Sequence, residues 1–298
     1  MSRSTLEQWR MFRAVVEHGG FAQAAEAIHK SQSSINHAVH KLQDQLDLQL
    51  LEVVGRKAQL TDAGELMLRR AGQLIDQAEQ LETIAESLAQ GDEPELRVAI
   101  DEVYPQHCLA EALEHLSTEF PYTRVELVET VLSGGAERLL QGDVDLLVAG
   151  EVPQGFLGEA LMDVEFIAVS NPEHTLQTLQ RPLNLQDLAS ERQIVVRDSA
   201  TGQRIDSGWL GAEQRWTVSH VATSITMITR GMGFAWLPVT RIGDELASGR
   251  LRELPLERGA RRRASLFLTY ADPDKAGPAT CRLGQLLIKS AANSSGFD

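Results

Sequence analysis

The chain has 298 residues and a formal net charge of −14 at pH 7, long enough for two or three domains each with its own core. No run of about 18 apolar residues offers a membrane-spanning helix, and so acidic a chain cannot coat nucleic acid along its whole surface. The start, MSRSTLEQWRMFR, lacks the apolar segment of an export signal. Cys108 and Cys281 are therefore expected to be reduced thiols of a cytoplasmic protein. The charge is uneven: residues 1–60 sum to +1, and the other 238 carry −15. Any contact with nucleic acid is thus expected in the N-terminal segment.

Residues 5–18 read as a first helix, with Thr5 as cap and Leu6, Trp9, Phe12 and Val16 on one stripe. Gly19-Gly20 ends it. Residues 19–42, GGFAQAAEAIHKSQSSINHAVHKL, read as two short helices joined by a tight turn. The first is alanine-rich, so another helix can approach it closely. Ser31 is a good cap for the second. There Ile35, Val39 and Leu42 share one face, and the opposite face carries Gln32, Ser33, Ser34, Asn36, His37, His40 and Lys41. An apolar back and a hydrogen-bonding front suit a helix that reads base edges in a major groove. A merely solvated helical hairpin is the plainer alternative.

Residues 50–54 are apolar and β-prone, Gly55 permits a turn, and residues 58–61 return as a second strand. The tip carries Arg56 and Lys57, placed to touch the sugar-phosphate backbone if this hairpin is a wing; an ordinary solvated turn is the alternative. Thr61 or Asp62 then caps a helix that runs to Gly91. Met67, Leu74, Leu81 and Leu88 are spaced by seven, with Ala71, Ala78 and Ala85 four residues after the first three. That is a heptad seam on a helix about 42 Å long. It can pack on its own chain or, as we expect, on the same helix of a second copy.

From Glu95 strands alternate with helices. Strands are expected at 96–100, 125–129, 144–150, 166–170, 193–196, 234–238 and 265–270, with helical stripes between them and at 283–288. Repeated β-α units imply an α/β fold of largely parallel sheets. The two similar halves suggest two lobes with a ligand cleft between them. In such folds ligands sit beyond the carboxyl ends of strands. Those places hold Asp101, Glu102, Val103 and Tyr104; Leu132 and Ser133; Arg197, Ser199 and Thr201; and His220, Ala222 and Thr223. Asp101 and Glu102 should disfavour a simple anion, and Tyr104 offers an aromatic face, so an aromatic or partly cationic ligand is expected.

The chain resembles the LysR-type transcriptional regulator family. The resemblance is carried by FRAVVEHGGFAQAAEAIHKSQSSINHAVHKLQDQL and QLTDAGELML, and more loosely by EFPYTRVELVE, LLQGDVDLLVAG and MITRGMGFAWLP. It implies a winged helix-turn-helix domain (1–60), a dimerising linker helix (61–91) and a two-lobed effector domain (92–298) like the type 2 periplasmic binding proteins. The first lobe would take 92–163 and 269–298 and the second 164–268, the chain crossing near Val164 and Phe267. The implied partners are promoter DNA, a small-molecule effector, further copies of the chain as dimer or tetramer, and RNA polymerase. Two features depart from the family pattern. Leu50-Leu51-Glu52-Val53 stands where Leu-Phe-x-Arg is usual, and His37 and His40 replace basic residues. Both should weaken the salt-dependent part of DNA binding.

GxSxG, HExxH, P-loop and CxxC motifs are missing, and GMGF at 231–234 is too short for a dinucleotide fingerprint. No cofactor, metal site or catalytic group is expected. A cytoplasmic solute-binding protein remains the second reading, and an enzyme the third.

Overall fold

The computed structural model describes residues 3–54, 57–179 and 181–294. They form two compact units, Met1–Gln90 and Gly91–Asp298. Among the described residues no helix is long and apolar enough to cross a membrane.

The first unit opens with α1 (Leu6–Glu17). Thr5 and Gln8 form a reciprocal cap: the Thr5 hydroxyl accepts the Gln8 N–H at 3.3 Å, and the Gln8 side-chain oxygen accepts the Thr5 N–H at 2.8 Å. Helices α2 (Phe21–Ala27) and α3 (Gln32–Leu46) follow. The Ser31 hydroxyl caps α3 by accepting the Ser34 N–H at 3.2 Å. Ile35, Val39 and Leu42 are at most 1% exposed and pack with Trp9, Phe12, Val15 and Ala24. Burying each such large side chain stabilises the unit by about 1.5–3 kcal/mol.

Strands β1 (Leu51–Val54) and β2 (Lys57–Leu60) pair antiparallel, Leu51 opposite Leu60 and Val54 opposite Lys57. Arg56, expected at the tip, lies outside the described residues, as does Gly55. The long helix α4 (Asp62–Ala89) starts at Thr61, whose hydroxyl accepts the Gly64 N–H at 3.0 Å. A Cβ on Gly64 would sit 2.0 Å from the Leu50 carbonyl oxygen, so only glycine fits this close approach. The expected heptad seam divides here. Ala71 and Met67 join the unit's own core with Ile75, because the first turns of α4 lie against α1, where Arg13 bridges Asp76 and Glu79 at 2.9 and 3.1 Å. Leu74, Leu81 and Leu88 remain 55%, 68% and 47% exposed.

The second unit runs β3 (Glu95–Asp101), α5 (Gln106–Glu119), β4 (Arg124–Thr130), α6 (Gly134–Gln141), β5 (Leu146–Ala149) and β6 (Gly158–Ser170). It continues with α7 (Thr175–Thr178), α8 (Leu185–Ala189), β7 (Arg192–Val196), β8 (Gln214–Val218), α9 (Val221–Thr229) and β9 (Phe234–Pro238). The last elements are α10 (Gly243–Ala247), β10 (Arg252–Glu253), β11 (Arg261–Tyr270) and α11 (Pro278–Ser294). In the first lobe β3 lies parallel to β4 and β5. In the second, β7 lies parallel to β8 and β9. The long strands β6 and β11 run antiparallel between them, from Ile167 opposite Arg261 to Gly158 opposite Thr269, with a register shift between Leu266 and Phe267. The expected crossings near Val164 and Phe267 fall inside these two strands. Because both lobes share them, the strands form one continuous sheet, ordered β4-β3-β5-β11-β6-β9-β7-β8.

Each lobe has its own core. Leu96, Val98, Ile100, Leu116, Leu146, Leu268 and Leu287 build the first, and Ile167, Val169, Ile194, Ile228 and Leu237 the second. Cys108 and Cys281, on α5 and α11 of the first lobe, are both free thiols.

Candidate functional site

The polar face of α3 stands fully outside the first unit. Gln32, Ser33, Ser34, Asn36, His37, His40 and Lys41 are all exposed, while Ile35, Val39 and Leu42 anchor the opposite face. The cap at Ser31 leaves the first turn of α3 free to project these side chains. Lys57 begins β2 in the hairpin that follows.

The second site lies between the lobes of the second unit. A cavity of about 590 Å³ is lined from the first lobe by Asp101, Val103, Val131 and Leu132. From the second lobe it is lined by Phe166, Gln193, Trp209, Ser224, Trp236 and Arg262, with Arg258, Arg263 and Glu151 also present. That volume is typical of small-molecule sites, as is a mostly apolar wall with few polar groups.

Around the cavity the lobes are laced together. The Glu102 carboxylate, 5% exposed, accepts from His220 Nδ1 at 2.5 Å and from the Val221 N–H at 2.6 Å. Arg241 Nη1 donates to the Glu102 carbonyl at 2.5 Å. The Ser133 hydroxyl donates to Asp198. Ser199 Oγ accepts the Val131 N–H at 2.9 Å, and its own N–H donates to the Val131 carbonyl at 3.2 Å. Glu137 accepts the Thr201 N–H and hydroxyl at 2.7 and 2.8 Å. The approach is so close that a Cβ on Gly134 would sit 2.0 Å from Ser199 Oγ.

The electrostatics follow from burial. Burial pushes the Asp101 carboxyl up to about 6 from an ordinary 3.8, against the pull of the Val103 and Leu132 N–H groups at 3.1 and 3.2 Å. Glu102 and Asp198 nearby push in the same direction as burial. Burial also raises Asp198, but the Ile205 N–H at 2.9 Å, the Ser133 hydroxyl and the Ala200 N–H outweigh it and hold that carboxyl below its ordinary range. Arg262 is pushed down by burial alone.

The cavity thus differs from the expected one. Asp101, Val103 and Leu132 line it, but Glu102, Ser133, Ser199, Thr201 and His220 spend their hydrogen bonds across the cleft. Tyr104 is not in the cleft at all. It is 2% exposed within the first-lobe core, and its hydroxyl donates to the Leu287 carbonyl at 3.0 Å. Arg197 is exposed and does not line the cavity. Ala222 and Thr223 are exposed on α9, and the helical turn aims the next residue, the buried Ser224, inward instead. Of the two carboxylates behind the expected cationic preference, Glu102 is already satisfied across the cleft, while Asp101 lines the cavity.

Phe166, Gln193, Trp209, Trp236 and Arg262 were not anticipated from the sequence. A signal existed for Arg262: in the run Arg261-Arg262-Arg263, strand alternation must send the middle side chain to the opposite face. Trp209 sits in a loop without periodicity and gave none.

Comparison with known proteins agrees with this anatomy. Residues 6–65 match the bacterial regulatory helix-turn-helix proteins of the lysR family, and residues 89–291 match the LysR substrate binding domain. An uncharacterized HTH-type transcriptional regulator, YeeY, of Escherichia coli (strain K12) is 31% identical over 80% of this chain and 79% of its own. The RuBisCO operon transcriptional regulator of Allochromatium vinosum is 26% identical over 97% of both chains. Among solved structures, full-length LysG of Corynebacterium glutamicum with bound effector Arg superimposes with a TM-score of 0.54 at 19% identity, over 97% of this chain and 98% of that one. With both domains matched in order along most of its length, the chain belongs to the LysR family of transcriptional regulators.

Proposed function

We propose that this LysR-type regulator reads promoter DNA with the exposed face of α3, and that a small molecule between the lobes of its effector domain controls it. The observation that carries the reading is the division of α3 into a buried apolar face and an exposed face of amide, hydroxyl, imidazole and ammonium groups. Gln32, Ser33, Ser34, Asn36, His37 and His40 are the candidates for base edges, and Lys41, Arg56 and Lys57 for phosphates. The cavity, enclosed by hydrogen bonds from both lobes, supports the effector half of the proposal. Its candidate contacts are Asp101, Val103, Leu132 and Ser224. Further copies of the chain through α4, and RNA polymerase at the promoter, are the protein partners this reading calls for. The role is one of binding rather than catalysis, in keeping with relatives that are transcriptional regulators.

The test is electrophoretic retardation of DNA from the region upstream of the protein's own gene, against a scrambled fragment of equal length. We expect specific retardation with a steep loss as salt rises. Equal binding to both fragments would overturn the assignment.

A further inference from the structure

The chemical class of the effector can be read from a charge that the cavity leaves unanswered. Three consecutive arginines open β11. Arg261 pairs with Glu253 at 2.7 Å and with Glu165 at 3.2 Å, and Arg263 lies 3.9 Å from Glu165. Arg262 projects from the opposite face of the strand and lines the cleft, which Arg263 and Arg258 also border. It stands opposite Phe166 on the neighbouring strand, with its guanidinium carbon 4.6 Å from the Phe166 ring centroid. Backbone holds its other side: a Cβ on Gly208 would sit 2.6 Å from Nη1. Nη1 donates to the Ser207 hydroxyl at 3.2 Å, and Nε has no hydrogen-bond partner.

Among the described residues Arg262 has no ion pair, and burial pushes its proton affinity down. A guanidinium stays protonated in a protein, and a half-buried cation without a counter-charge is costly. Apart from a few polar and charged groups, among them Asp101, Glu151, Arg258 and Arg263, the rest of the lining is aromatic and aliphatic. Trp209 and Trp236 stand with ring centroids 6.0 Å apart, and Phe166 carries the guanidinium itself. Across the cavity Asp101 would repel a second negative group.

Building on the reading of this cavity as the effector site, we propose that the effector is an aromatic monocarboxylate, its carboxylate on Arg262 and its ring between Trp209, Trp236 and the first-lobe wall of Val131 and Leu132. This reverses the charge expected from Asp101 and Glu102 alone, and keeps the aromatic body. An organic phosphate shares the affinity for Arg262, but its second charge fits poorly beside Asp101.

The experiment is calorimetric titration and thermal shift of the full chain with benzoate, 3-phenylpropanoate and 2-naphthoate. Matched probes are the corresponding amides, 2-naphthylmethylamine and phenyl phosphate. We expect at least one carboxylate to bind, at least tenfold tighter than its amide and tighter than the amine or the phosphate. Arg262→Met should lose at least tenfold for that carboxylate and little for the amide, and Arg262→Lys should fall between. The carboxylate–amide comparison on the unaltered chain stands even if a variant fails to fold. An amide or amine that binds as tightly as the carboxylate overturns the proposal, as does preference for the phosphate or failure of every carboxylate. Specific retardation of promoter DNA alongside any of these results would leave the regulator reading intact, so the two failures are distinguishable.

Discussion

At the scale of single residues, the cleft combines one carboxyl kept under strain of charge with one position where no side chain fits. Asp101 is protonated in both folded and unfolded chains below its ordinary 3.8, and ionised in both above about 6. Its raised value therefore favours the folded state at low pH, and this contribution is lost as pH rises through about 6. The shift is worth about 3 kcal/mol at neutral pH. Asp101→Asn should thus gain stability relative to the unaltered chain as pH goes from about 4 to about 7.5, by up to that amount. Urea unfolding across the range checks it; a constant difference would mean that Asp101 is not desolvated as described. At Gly134 the added methyl of alanine would meet Ser199 Oγ at 2.0 Å and the Ser199 carbonyl carbon at 2.9 Å. Gly134→Ala should hold the lobes apart, so that the Val131 and Thr201 amides, which donate across the cleft, exchange their hydrogens faster. Unchanged protection at both would show that the second lobe can yield without opening.

At the scale of elements, α3 depends on two separate features. Its position comes from Ile35, Val39 and Leu42 in the core, and its chemistry from the residues between them. Asn36 is exposed, so replacing it costs the fold little. If its amide meets a base edge, Asn36→Ala should weaken binding to the correct site by about 1–3 kcal/mol and relax specificity there. Competition titrations with single-base variants of the bound site would measure this. Equal affinity for all of them, at the level of the unaltered protein, would show that α3 is turned differently in the groove. Strands β6 and β11 are the other informative elements. Residues 158–165 alternate weakly and so carried no strand signal, although 166–170 did and although Leu161, Met162 and Val164 pack on the first-lobe core.

At the scale of the whole molecule, α4 shows what one copy leaves unfinished. Leu74, Leu81 and Leu88 recur every seven residues and remain about half exposed or more. Replacing a solvated leucine by glutamate should leave a monomer unharmed, whereas in a helix pair it would place a charge in an apolar seam. Leu81→Glu is therefore expected to shift the sedimentation coefficient towards the monomer and to weaken promoter binding with it. An unchanged oligomer would exclude this face. A two-fold pair would place its α3 helices on half-sites about one helical turn of DNA, or a multiple of it, apart.

The sequence by itself determined the order of the main elements, though not β8, β10 or the short helices of the second lobe, together with the cap residues, the two faces of α3, the heptad spacing of α4 and the strand ends where a cleft could open. All of these depend on neighbours within a few positions, and periodicity reports them directly. Only the tertiary structure decided which strand-end residues face the cavity. Tyr104 turned into the first-lobe core, and Glu102 and Ser133 found partners more than sixty residues away on the opposite lobe. Ser224 rather than Thr223 came to face inward. Trp209, Trp236 and Arg262 arrived from segments far apart in the chain. The same long-range pairing split the heptad, drawing Met67 and Ala71 into the unit's own core while Leu81 stayed outside. Such choices are settled by competition between distant surfaces for burial and for hydrogen bonds, and no local pattern of residues records which competitor wins.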